Sequence, residues 1–96
     1  MDLLDQLLDH DDWATMTLLE ACRDLTDAQL DQPFDIGHGT LRATFAHMIP
    51  NPAFWTGLMT GQPVEIAMSD TSIAGLIAAQ KRSYGDFAAT ARRFRD

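Results

Sequence analysis

Ninety-six residues, 46% of them hydrophobic, supply apolar side chains for one small core and not for two, so a single domain over 1–96 is expected. A formal charge of −7 with no basic stripe would repel phosphate backbones, which disfavours nucleic acid as a partner. No run of about 18 uninterrupted apolar residues exists and the N-terminus is acidic, so neither a membrane span nor a signal peptide is indicated, and the cytoplasm is the expected compartment.

The charge is uneven. Residues 1–35 hold ten acids against Arg23 alone, whereas residues 36–96 hold four acids against six bases. The single cysteine, Cys22, has no internal disulfide partner; among Leu18, Leu19, Ala21 and Leu25 it reads as a small buried hydrophobe.

In the first segment, Leu3, Leu7, His10, Ala14, Leu18, Ala21 and Leu25 recur at steps of three and four, which predicts a helix with those residues facing the core. Asp2, Asp5, Asp9, Asp12 and Glu20 would form its solvated face, with Asp9, Asp11 and Asp12 solubilising rather than catalytic. His10, an imidazole on an apolar stripe beside Trp13, is open to three readings: a metal ligand, a group that bonds to another ligand, or a ring packed against Trp13.

Thr26, with Gln29 three residues on, forms a capping box, and Leu25 with Leu30 the matching hydrophobic staple, so a short helix starts there. Pro33–Gly39, reading PFDIGHG, has no periodicity and reads as a loop, with His38 as an exposed loop residue. Thr40 is the expected N-cap of a second long helix through LRATFAHMIPNPAFWTGLMTG, apolar on more than one side and so expected in the middle of a bundle. Pro50 and Pro52 remove amide donors and crowd the preceding turn, which predicts a kink or break near Met48–Asn51. Gly61 and Pro63 end that segment, and the linker QPVEIAMSD leads to a further cap at Ser69 or Asp70.

The last segment carries Ile73, Ile77, Gln80, Tyr84, Phe87, Ala91 and Phe94 at alternating steps of four and three, a third long helix with Lys81, Arg82, Asp86 and Arg92 on its polar face. Arg92, Arg93 and Arg95 suit the end of a helix, where cations complement the dipole. Met16, Met48, Met59 and Met68, with Phe45, Phe54, Trp55, Tyr84 and Phe87, have the spacing of ordinary core. No strand-like alternation or internal repeat occurs, so the fold class is all-α: three long helices and one short one. The breadth of the apolar faces calls for a fourth bundle helix after residue 96 or for a second copy of the chain, so a homodimer is expected.

His10 followed by Trp13-Ala14, the segment LTDAQLDQPF and the run TLRATFAHMI ending in His47 together resemble the N-terminal half of DinB-like proteins, a family of metal-binding four-helix bundles. The likeness continues more loosely through FWTGLMTGQP and the third helix. It implies an up-and-down bundle in which His47 faces the interior as one of three ligands to a divalent metal such as nickel, zinc or manganese. The other ligands belong to a last helix that this chain does not contain. It also implies kinship with S-transferases that use a low-molecular-weight thiol and act on a small-molecule substrate. Read from the residues alone, without the resemblance, a buried histidine with one hydrogen-bond partner is the better fit for His47. The contrasting expectation is a non-catalytic, truncated or diverged helical module that self-associates.

Overall fold

A computed structural model of the chain describes residues 3–35, 38–63, 66 and 68–94. Asp2, Ile36, Gly37, Val64, Glu65, Ala67, Arg95 and Asp96, which figure in the sequence expectations, lie outside the described residues. Five helical segments and no strand occur among the described residues: α1 (Leu3–Ala21), α2 (Asp27–Leu30), α3 (Leu41–Met48), α4 (Asn51–Thr60) and α5 (Ile73–Phe94). The all-α class is therefore correct, and no helix among the described residues is long and apolar enough to cross a membrane.

Local chemistry sets most of the boundaries. The Thr26 side chain accepts from Gln29 N–H at 3.2 Å and the Gln29 side chain accepts from Thr26 N–H at 2.9 Å, so the capping box starts α2 as expected. Thr40 accepts from Ala43 N–H at 2.9 Å and starts α3. Gly61 ends α4 in the left-handed conformation (φ +73°), which a glycine adopts without a Cβ penalty. The cap of α5 is Ser72 rather than Ser69 or Asp70: Ser72 Oγ accepts from Gly75 N–H, while the Asp70 carboxylate accepts from both Ser72 N–H and Ser72 Oγ–H. Asp70 thus shapes the turn before the helix, and its carboxyl is held below the usual carboxylate range by those two bonds.

The expected second long helix is two helices. Pro50 and Pro52 end α3 and also begin α4, because a proline fits a first turn whose amides lack intrahelical acceptors. In an unbroken helix Ala53 N–H would bond to the Ile49 carbonyl. Here the buried Ser83 hydroxyl of α5 stands between them, accepting from Ala53 N–H at 3.1 Å and donating to the Ile49 carbonyl at 2.5 Å. One side chain thereby satisfies this separated donor and acceptor.

The middle of the fold belongs to α5, not to the 41–61 segment: α4 and α1 both pack along it. Its buried positions accordingly spread over two faces, with Leu76, Ala79, Ser83 and Ala88 added to the expected Ile73, Ile77, Gln80 and Tyr84. Phe94, expected in that stripe, is exposed. The main core joins Leu19, Leu30, Phe45, Ile49, Ile73, Leu76 and Ile77, with Cys22, Met16 and Met68 packed against it; a smaller cluster holds Leu8, Tyr84 and Ala88. Phe54, Trp55 and Met48, expected in the core, are exposed.

The packed face of α1 is also not the expected one. Leu8, Thr15 and Leu19 are buried, with Leu4 and Met16 beside them, while Leu3, Leu7, His10, Leu18 and Ala21 face solvent. The acids beside the packed face explain the choice. Asp5 and Asp9 pair with Arg92 of α5 at 2.9 and 3.4 Å, and Asp12 accepts from Gln80 at 3.5 Å. Asp5 and Asp12 are half-buried, so that side of α1 is an interface and not a solvated face. The Asp5 carboxylate, with that of Asp9, holds the Arg92 guanidinium above its ordinary range.

Candidate functional site

His47 lies in the last turn of α3, a helix fixed to the core by Phe45 and Ile49. Arg42 anchors the opening of the same helix: its guanidinium donates to Asp31 and Asp27, each at 2.8 Å, and to the Thr71 carbonyl at 2.6 Å. Those bonds, chiefly with Asp31, raise the Arg42 pKa above its ordinary value. The platform under His47 is therefore tied to α2 and to the chain entering α5.

The expected orientation of His47 is corrected: the imidazole is exposed rather than directed into the bundle. It meets the ring of His38, with centroids 3.9 Å apart and planes tilted by 33°. The loop before α3 brings the second ring there. Phe34 N–H donates to the Gly39 carbonyl at 2.6 Å, and Gly39 adopts φ +94°, a backbone that glycine tolerates and bulkier residues rarely do. The chain then turns into the Thr40 cap, and His38 N–H reaches Thr44 Oγ1 at 3.4 Å, while that hydroxyl donates to the Thr40 carbonyl at 2.7 Å. Thr44 and His47 are three residues apart and share a side of α3, so a loop resting on Thr44 lies over His47.

His10 does not face the core either. It is exposed and stacks on Trp13 at 5.9 Å between centroids, the third of its three sequence readings. Among the described residues, no group of three His, Cys, Asp or Glu side chains converges on either histidine. An ion on the His38–His47 pair would take its remaining positions from water, substrate or another chain. Two imidazole nitrogens form a donor set suited to zinc and nickel, and less suited to manganese, which prefers oxygen.

Sequence reasoning treated His38 as a lone loop residue. The signal that could have found it is GHGT directly before the cap: a glycine turn that reverses the chain onto the helix it starts.

Away from these histidines the described residues also line concave surfaces. An apolar groove of about 410 Å³ runs along the outer side of α4, lined by Phe54, Gly57, Leu58, Gly61 and Pro63. A more polar cleft of about 210 Å³ sits where α1, the α3–α4 break and α5 meet, lined by Asp11, Thr15, Met48, Asn51, Pro52 and Gln80. A comparison with protein-family models, with curated proteins and with solved structures finds no match for this chain.

Proposed function

We propose that the chain is a DinB-like divalent-metal-binding protein of the cytoplasm, related to the metal-dependent S-transferases that use a low-molecular-weight thiol. The reading rests on the resemblance carried by His10 with Trp13-Ala14, LTDAQLDQPF and TLRATFAHMI. The interior placement of His47 that it implies does not hold, and what supports a metal ligand there is an accessible imidazole on a helix anchored at both ends. A divalent ion held by His47 would favour the thiolate form of a bound thiol, since a coordinating thiol loses its proton to the metal's charge. The chain's part is to fix the imidazole and leave the rest of the ion's surroundings open to a small-molecule substrate.

The test is titration of nickel, zinc and manganese into the purified chain, with metal content measured after dialysis. One ion per chain, bound more weakly after His47→Ala and equally well after His10→Ala, is the expected result. An affinity that His47→Ala leaves unchanged rejects the assignment.

A second reading, a non-catalytic module that forms a homodimer, is favoured by a separate observation. Leu3, Leu7 and Leu18 of α1 and Phe54, Trp55 and Leu58 of α4 are all exposed. The surface area is 6233 Å², against about 5,500 Å² for a compact monomer of this mass. Molar mass measured across protein concentration distinguishes the readings: a metal-independent dimer supports the second, and a strict monomer removes it.

A further inference from the structure

We infer that His38 is the second protein ligand of the metal, so that the ion sits on a two-imidazole chelate joining the His38–Gly39 turn to α3. The inference rests on the reading of His47 as a ligand and deepens it.

Three observations converge on His38. Its ring lies 3.9 Å from that of His47, both rings are exposed, and its backbone is placed over α3 by the Phe34–Gly39 bond and the Thr44 contact. At that separation the tilted rings are in contact, with no room for an ion between their faces. Exposed side chains change rotamer on the picosecond to nanosecond scale, so each ring can turn a nitrogen toward a shared ion. Metal–nitrogen distances of about 2.0–2.1 Å require the centroids to part by roughly an ångström.

The loop's role follows from chelation. A single imidazole on a helix is a weak site, whereas a second one already held beside it adds a coordinate bond at little further entropic cost. The nine-residue separation of His38 and His47 in sequence is bridged because the chain turns at Gly39 and reverses onto its own helix.

The experiment uses the full chain with zinc chloride and nickel chloride as probes. Affinity is measured by calorimetry for the parent, His38→Ala, His47→Ala and the double variant, and circular dichroism verifies that each variant is folded. Ring-proton resonances of the parent are followed during zinc addition as a second readout. The expected result is one ion per chain, a loss of affinity of tenfold or more in either single variant, and joint movement of both imidazoles' resonances. If His47→Ala weakens binding and His38→Ala does not, the inference falls and the reading of His47 as a ligand stands. If His47→Ala leaves affinity unchanged, both fall.

Discussion

Ser83 shows how much one small side chain can carry. It is fully buried and bonds two of the backbone groups that the proline break separates, the Ala53 N–H and the Ile49 carbonyl. Ser83→Ala would leave a buried N–H and a buried carbonyl unsatisfied, at a cost on the order of 1–3 kcal/mol; the midpoint of urea unfolding should fall accordingly. Tyr84 is the opposite case, because its covered hydroxyl meets no hydrogen-bonding group among the described residues. Tyr84→Phe should keep or slightly raise stability, since nothing is lost but the cost of drying that oxygen. Burial, reinforced by Asp12 and Asp9, pushes the Tyr84 hydroxyl up to about 12. The folded-state pKa thus exceeds the unfolded one. Its contribution is fully present below about pH 10 and lost as the pH climbs toward 12. The parent should therefore lose more stability over that interval than Tyr84→Phe, as paired thermal melts at stepped alkaline pH would report.

At the level of elements, two glycines of α5 should respond in opposite directions to alanine. A Cβ on Gly75 would clash with the Asp70 carbonyl, so the turn that positions Ser72 must shift, at about 1–3 kcal/mol, more than the gain in helix propensity returns. A Cβ on Gly85 meets nothing within 4 Å, so Gly85→Ala should stabilise by roughly 0.5–1 kcal/mol. Melting temperatures of the two variants should fall on either side of the parent's. The same contrast governs how far the sequence was readable. The α2 capping box, the Thr40 cap, the proline break and the Gly61 stop could be read from neighbours a few residues away, because the forces that set them act over that range. The packed face of α1 could not be. Leu3, Leu7, His10 and Leu18 make the cleaner apolar stripe, yet the choice was made by Arg92, 87 residues from Asp5, and by Gln80, 68 residues from Asp12. The interior placement of His47 rests on a single uninterrupted second helix in a bundle, whereas the chain breaks at Pro50 and α3 and α4 are separate helices. His38 was missed because its partner is set by the course of a loop, and no periodicity encodes that.

For the molecule as a whole, α5 serves as the spine, with the other helices applied to its sides. The radius of gyration, 14.3 Å, exceeds the roughly 12.5 Å of a compact chain of this length, and the extents of 46 × 28 × 24 Å describe an elongated body. Such a form leaves the outer sides of α1 and α4 in water, with Trp13 63% exposed. If these sides meet in a dimer, Phe54→Ser combined with Leu58→Ser should move the concentration of half-association upward by tenfold or more without unfolding the monomer, because both residues are exposed in the single chain. Sedimentation at graded concentration would measure the shift, and an unchanged profile would place the contact elsewhere. The Ser83 bridge also bears on the order in which the chain is made. Residues 41–60 leave the ribosome well before Ser83, which is 34 positions beyond Ile49. Until it arrives, water must serve the Ile49 carbonyl and the Ala53 amide, and nothing in the segment itself fixes the direction of its bend. That angle is supplied late, by a residue of another helix, so the nascent chain holds its longest apolar stretch as two loosely jointed pieces and not as a finished rod.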